Sequence, residues 1–160
     1  LGYRDKKRIG ICWAGSPLHP NDRIRSLPLR HFQKIHDLPD VKLFNLCDSR
    51  IRKYVSQDRE IDLTLGCEGM RVVDCWEKMT DFARTASIVK DLDLVVTVDT
   101  ALMHLSAGLG VPTIGLLSYN PDWRWGLTDK KTPWYQNLTL IRQMTPGVWE
   151  SVFSELKDLI

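Results

Sequence analysis

The sequence predicts an α/β fold, a Rossmann-like parallel sheet with flanking helices, and three observations predict it. Strand-like and helix-like runs alternate from one end of the chain to the other. Asp93 to Val98 (DLVVTV) is near-continuously apolar, as a strand covered on both faces should be. That run then passes through Asp99-Thr100 straight into the small and apolar residues of Ala101 to Gly108, a strand–turn–helix unit.

The elements follow in order. Arg8 to Ala14 (RIGICWA) is a short apolar strand that must turn at Gly15-Ser16-Pro17. From Pro28 to Ile35, Leu29, Phe32 and Ile35 recur every three residues, giving a short helix one apolar face with Pro28 in its first turn. Val41 to Leu46 (VKLFNL) is the second strand. The charged stretch Ser49 to Arg59 reads as a short helix or a solvated connection, and Ile61 to Leu65 as a weaker third strand. Asp81 caps a helix that carries Phe82, Ala83, Ala86, Val89 and Leu92 on one face. After the helix ending near Gly108 and Gly110, Pro112 to Leu117 and Leu138 to Ile141 are strands, and Trp149, Val152, Phe153, Leu156 and Leu159 form an amphipathic closing helix.

At 160 residues the chain is expected to be one domain, residues 1–160, large enough for a core of its own and too short for two α/β lobes. A net charge of +2 gives no excess of the kind that binds nucleic acid. No apolar run approaches the roughly 20 residues of a membrane-crossing helix. Cys12, Cys47, Cys67 and Cys75 lack any CxxC spacing and mostly sit in apolar runs, so buried free thiols are expected; the spacing leaves a Cys67–Cys75 disulfide open. With no secretory signal in view, the expected location is cytoplasmic.

Three constellations could carry chemistry. The first is the turn Asp99-Thr100-Ala101 with His104 four residues on. In open α/β sheets ligands bind outside the carboxyl ends of strands, and a helix N-terminus offers free N–H groups and about half a positive charge to a phosphate. The same residues also suit plain helix capping and a satisfied partial-core histidine. The second is the loop after the first strand, with Ser16, Arg23 and Arg25: a hydroxyl and guanidinium forks suit phosphate, or form a solvated surface loop. The third is Asp122-Trp123-Arg124-Trp125 with Pro133-Trp134-Tyr135, aromatics that either pack locally or wall a ligand site. Arg142 and Gln143 close the last strand, as site groups or as loop polar residues. Neither GxGxxG, GxxxxGK[ST] nor GxSxG occurs, and His19, His31, His36 and His104 are scattered, so no dinucleotide fingerprint, P-loop, hydrolase elbow or metal site is expected.

Three blocks carry a resemblance. They are Ile11 to Pro17 followed by Asn21 to Ser26; Asp81-Phe82-Ala83 with Thr85-Ala86 running into Leu92 to Thr100; and Asp122 to Trp125 with Pro133-Trp134-Tyr135 and Arg142-Gln143. In this order the chain resembles the C-terminal domain of the heptosyltransferase-like glycosyltransferases, the glycosyltransferase family 9 type, and is most similar to the version that follows tetratricopeptide repeats in bacterial proteins. The resemblance implies a GT-B fold, of which this would be the C-terminal lobe holding a nucleotide-sugar donor. It implies that Ser16 and Arg25 contact the donor diphosphate, so that Arg25→Ala loses about 1.5–3 kcal/mol of affinity with the fold intact. It places Asp99 and Thr100 at the phosphate turn and His104 in the same pocket. The substrate-binding set expected from residues and resemblance together is thus Ser16, Arg23, Arg25, Asp99, Thr100, Ala101, His104, Asp122, Trp123 and Arg124. Ala101 stands where heptosyltransferases usually carry Gly, which alters the approach to its amide. No catalytic residue is expected in this chain, because the family's base lies on an N-terminal lobe. An N-terminal lobe or partner chain would complete the cleft, and no cofactor or metal is expected. The reading from a different class is a non-catalytic α/β module that binds nucleotides or proteins, and a third is an unrelated flavodoxin-like or regulatory domain.

Overall fold

The computed structural model describes residues 1–48, 53–56, 59–62, 67 and 69–160. Its strands are β1 (Lys7–Cys12), β2 (Val41–Asn45), β3 (Lys53–Ser56), β4 (Arg59–Asp62), β5 (Val73–Asp74), β6 (Leu94–Val98), β7 (Thr113–Leu117) and β8 (Leu138–Arg142). The helices are α1 (Asp22–Arg25, a single turn), α2 (Gln33–His36), α3 (Phe82–Lys90), α4 (Ala101–Gly108) and α5 (Glu150–Leu159). Short 3-10 turns at Leu29–Phe32, Trp76–Lys78 and Trp123–Trp125 complete the set.

Six strands form one parallel sheet in the order β5-β2-β1-β6-β7-β8. The chain leaves β1 towards β2 and later leaves β6 the opposite way, towards β7. With right-handed crossovers, this reversal puts α2 on one face and α4 on the other. α3 packs against α4, while α5 joins the α2 face, where Phe153 meets Phe32 edge-on at 4.9 Å between ring centroids. Every residue of β6 and β7 is buried, which is why their sequences lack the polar alternation of a half-exposed strand.

Local chemistry fixes the helix ends. Asp81 Oδ1 accepts from the Arg84 N–H at 2.7 Å, the expected cap of α3. Of the expected face Val89 and Leu92 are buried and Ala86 is half-buried, but Phe82 is 69% exposed and Ala83 is open to solvent, and Thr85 turns inward instead. In the first turn Phe82 lines a slot on the surface. α4 closes with Gly110 at φ +79°, the Val111 N–H reaching the Ser106 carbonyl and the Gly110 N–H the Ala107 carbonyl. These paired bonds are a Schellman stop, and the left-handed position suits Gly.

Two expectations need correction. The stretch 49–59, read as a helix or solvated connection, contains β3, which pairs antiparallel with β4 in a separate ribbon. The expected third strand therefore does not join the main sheet; its residues 63–65 lie outside the described residues, as do 49–52 and 57–58 of the preceding stretch. In its place β5, two residues long, forms the edge beside β2. All four cysteines are free, and Cys12, Cys47 and Cys75 are buried.

Candidate functional site

The strand order reverses between β1 and β6, so the loops leaving their carboxyl ends part there and open a crevice, the usual ligand position in such sheets. A pocket of about 200 Å³ occupies it, walled by the α1 loop, the head of α4 and the loop after β7.

The first wall is held from within. Asp22 is fully buried, and its Oδ1 accepts from Arg25 Nε and from the Ser26 hydroxyl, both at 3.0 Å. Ser26 Oγ in turn accepts from the Gly15 N–H at 3.0 Å. Arg25 Nη1 donates to the Asp99 carbonyl at 2.7 Å, tying the loop after β1 to the turn after β6. Gly15 lies against this guanidinium, where a Cβ would collide with Arg25 and come within 2.8 Å of Asp22 Oδ1. Arg25 therefore lines the pocket, but two of its donors are spent on the protein.

The second wall is the head of α4. Thr100 occupies the N-cap position in extended conformation, yet its side chain makes no capping bond; the hydroxyl pairs with Thr97 Oγ1 at 3.1 Å instead. The first-turn amides of α4 consequently have no side-chain acceptor, and Ala101 is exposed at the mouth. Beneath the turn, Cys47 donates to Cys12 across 3.3 Å between sulfurs, and burial pushes the Cys47 thiol well up.

His104 and the loop after β7 form the third wall. His104 Nδ1 pairs with the Tyr135 hydroxyl at 2.9 Å, and its ring lies 5.2 Å from that of Trp125. Asp122 accepts from the Arg124 N–H at 3.0 Å and pairs with Arg124 Nη1 at 2.7 Å, contacts that hold its carboxyl below the ordinary range. The aromatic block thus divides. Trp125 packs inward, while Trp123 is 75% exposed with the Arg124 guanidinium above it.

Of the expected residues, Arg25, Asp99, Thr100, Ala101, His104, Asp122 and Arg124 share this pocket. Ser16, Arg23 and Trp123 do not. Ser16 is exposed, its hydroxyl accepting from the Leu18 N–H at 3.4 Å. Arg23, in α1 with Arg25, lines a neighbouring pocket. His19, Ser118 and Asn120 line the site but were not singled out from sequence. The carboxyl-end argument applied to β6 would have found the last two had it been applied to β7 as well. Arg142, left open as a site group, donates to the carbonyls of Trp125, Gly126 and Asp129 and so holds the loop.

Ala101 also borders a second, apolar slot of about 270 Å³, formed by Leu46, Trp76, Met79, Phe82, Leu102 and Leu105 among others. The polar pocket and the apolar slot therefore meet at the head of one helix. Among the described residues no three His, Cys, Asp or Glu side chains cluster as metal ligands, and no helix is long and apolar enough to cross a membrane.

The sequence matches the family model of glycosyltransferase family 9 (heptosyltransferase) over residues 62–150. No curated protein matches it. Among solved structures, the Escherichia coli ADP-heptose LPS heptosyltransferase II is 15% identical, matched over 98% of this chain and 47% of its own, with a TM-score of 0.64. The E. coli heptosyltransferase WaaC, solved with ADP-2-deoxy-2-fluoro heptose, is 18% identical over all of this chain and 45% of its own, with a TM-score of 0.62. A family 9 glycosyl transferase from Veillonella parvula is 16% identical over all of this chain and 40% of its own, at 0.60. At such identities the likeness is one of fold, and the chain spans about half the length of the solved structures it matches.

Proposed function

The chain belongs to glycosyltransferase family 9 (heptosyltransferase), and from that membership we propose that it is a donor-binding domain, holding the diphosphate of a nucleotide sugar at the head of α4. The observation that carries this reading is the uncapped first turn of α4, which opens beside an exposed Ala101 into the crevice at the strand-order reversal. The Met103 N–H already donates to the Thr100 carbonyl at 3.0 Å, but the amides ahead of it in the first turn have no side-chain acceptor, and with the positive end of the helix dipole they favour an anion there.

The pocket's 200 Å³ is below the roughly 300–1,000 Å³ usual for a small-molecule site, so it takes only part of the donor. The apolar slot on the other side of Ala101 suits a flat nucleobase, with Trp76 and Phe82 among its walls. The sugar then lies towards His104, Asp122 and Arg124. One solved relative, the E. coli heptosyltransferase WaaC, was determined both with ADP and with ADP-2-deoxy-2-fluoro heptose, which supports an adenine nucleotide as the first candidate.

In this reading an acceptor hydroxyl attacks the anomeric carbon directly as the diphosphate leaves. The charge gathering on the leaving group is met by the α4 amides and the neighbouring arginines, without metal. The base that takes the hydroxyl proton comes from an N-terminal lobe or a partner chain. The proposal extends to the setting that the resemblance implies, a domain behind tetratricopeptide repeats in a bacterial protein, and to a cytoplasmic location, in keeping with the free cysteines.

The test is a thermal-shift screen against ADP, GDP, UDP and CMP and their sugar conjugates. A ligand at about 100 times its dissociation constant adds roughly 2.7 kcal/mol of stability, which for a domain of this size raises the melting temperature by about 5–11 °C. Ala101→Glu should abolish that shift without lowering the melting temperature of the free protein, since a carboxylate in a first turn suits the helix dipole while blocking the mouth. No shift with any nucleotide, or an undiminished shift in the variant, overturns the reading and leaves a non-catalytic module.

A further inference from the structure

Two buried thiols beneath the turn after β6 form a pair that donor binding does not use. Cys12 ends β1, and Cys47 lies just past the end of β2, the neighbouring parallel strand. Their sulfurs stand 3.3 Å apart, with Cys47 donating to Cys12. Backbone groups hold this approach from both sides. The Trp13 N–H donates to Cys47 Sγ at 3.0 Å, the Cys47 N–H to Asn45 Oδ1 at 2.7 Å, and the Cys12 thiol to the Ala14 carbonyl at 3.4 Å. A disulfide holds its sulfurs about 2.0 Å apart, so about 1.3 Å of closure separates the pair from a bond.

The two sulfurs are unlike. The hydrogen bond from Cys47 holds the Cys12 thiol below its ordinary value against the effect of burial, with the Thr97 and Thr100 hydroxyls adding to it, whereas burial pushes the Cys47 thiol well up. Cys12 is therefore the attacking sulfur and Cys47 the resolving one. At 4% and 3% exposure, the pair is closed to a bulky oxidant such as glutathione disulfide, and a water-sized one, hydrogen peroxide, fits.

Cys12 also lies directly under the proposed anion site. It pairs in register with Thr97, whose hydroxyl meets that of Thr100 at 3.1 Å, and both hydroxyls bond to the Cys12 sulfur. Thr100 already has the extended backbone of an N-cap, φ −139° and ψ 170°, but its hydroxyl is turned away from the α4 amides. Drawing the Cys12 sulfur towards Cys47 takes a partner from that hydroxyl. It then swings to the ordinary capping role of Thr and accepts from the amides that the diphosphate would use.

Resting on the donor reading above, we propose that Cys12 and Cys47 are a redox-sensitive pair, joined by hydrogen peroxide in a reversible disulfide that weakens nucleotide binding at the head of α4. The Cys12 sulfur attacks one peroxide oxygen, the O–O bond breaks, and the leaving hydroxide takes up the thiol proton as water. The Cys47 sulfur then displaces the second oxygen from the Cys12 sulfenic acid, again as water. Two thiols and one peroxide thus give one disulfide and two waters, and a dithiol reverses the change.

The experiment follows the intact chain reduced, after hydrogen peroxide, and again after dithiothreitol. Peptide mass mapping should find a Cys12–Cys47 disulfide in the oxidised chain alone. Calorimetric titration should show ADP bound about fivefold or more weakly in that state, with the affinity restored by dithiothreitol, which does not reverse methionine oxidation. Cys12→Ser should form no such disulfide, and peroxide should leave its ADP affinity where it was. Cys47→Ser should stop at a Cys12 sulfenic acid that dimedone traps. A mapped parent without the Cys12–Cys47 bond overturns the proposal whether or not the variants fold, and so does an equal loss of affinity in peroxide-treated Cys12→Ser. If the disulfide forms and ADP binds equally in both states, the switch falls while the donor reading stands. If the reduced chain binds no nucleotide, the donor reading falls and takes the switch with it.

Discussion

Arg25→Ala removes the guanidinium that joins two walls of the pocket, and its cost can be worked from the geometry. The residue loses a bond to Asp22 at 3.0 Å and a bond to the Asp99 carbonyl at 2.7 Å. Bonds to charged groups are worth about 1.5–3 kcal/mol each. The Arg25 and Asp22 side chains are only 15% and 1% exposed, so water does not replace the lost cation, and Asp22 keeps the Ser26 hydroxyl alone. Stripping one partner from a buried pair costs about 3–5 kcal/mol. Against a total stability of about 5–15 kcal/mol, that is a large fraction, equivalent to a fall of about 6–20 °C in melting temperature. Urea unfolding followed by circular dichroism reads it directly. Asp22→Asn added to Arg25→Ala should recover part of the loss by removing the stranded charge, with a coupling above about 1 kcal/mol between the two sites. A loss below about 1 kcal/mol for Arg25→Ala, or additive effects in the pair, would show that the network does not hold the loop. The resemblance implied a variant with an intact fold and weakened diphosphate binding; the geometry makes Arg25 a structural tie first.

Gly15→Ala should destabilise by about 1–3 kcal/mol, because its Cβ would fall on the Arg25 guanidinium; a stable variant in urea would mean that the side chain moves aside freely. Asp81→Ala removes the cap of α3 and should cost about 0.5–2 kcal/mol by the same assay, whereas Asp81→Asn should restore most of it. Tyr135→Phe should weaken nucleotide binding by freeing His104 to rotate while costing about 0.5–1.5 kcal/mol of stability, and unchanged nucleotide affinity would remove this pair from the site. Bonding to Arg8 holds the Asp93 carboxyl below its ordinary range, so its contribution is complete above about pH 4 and lost as pH falls through the depressed value. With Asp93 42% exposed that contribution is about 0–1 kcal/mol, and the small stability gap between parent and Asp93→Asn at pH 7 should narrow at pH 3.

What was legible in the sequence was what depends on near neighbours. The β6–turn–α4 unit, the Asp81 cap and the closing helix each follow from a few consecutive residues, and Thr100, Ala101 and His104 came with them. β5 was not legible because two residues, Val73 and Asp74, show no period. β3 was missed because its charged surroundings read as a solvated run, and β4, which overlaps the strand expected from Ile61, pairs in a separate two-stranded ribbon that no local pattern announces. Ser16 and Arg23 suit phosphate by residue type, and the resemblance adds Ser16, but whether a loop residue turns into the crevice or away from it is set by partners far along the chain. The tie from Arg25 to Asp99 spans 74 positions, a separation no local pattern encodes.

The placing of β1 between β2 and β6 also governs how the protein folds. Ile9 pairs with Leu43 on one side and with Leu94 on the other, so half of the central strand's pairing waits for a segment made much later. Parallel pairings of such long range are slow, because loop closure must be met before the contacts reward it. The crevice lies between these same two strands and does not exist until the last of them docks. A chain cut short of β6 would therefore expose β1 as an unpaired edge and bind nothing. The proposed nucleotide site therefore requires the completed sheet, and if the chain binds a nucleotide, that binding should appear in a refolding experiment with the final folding phase.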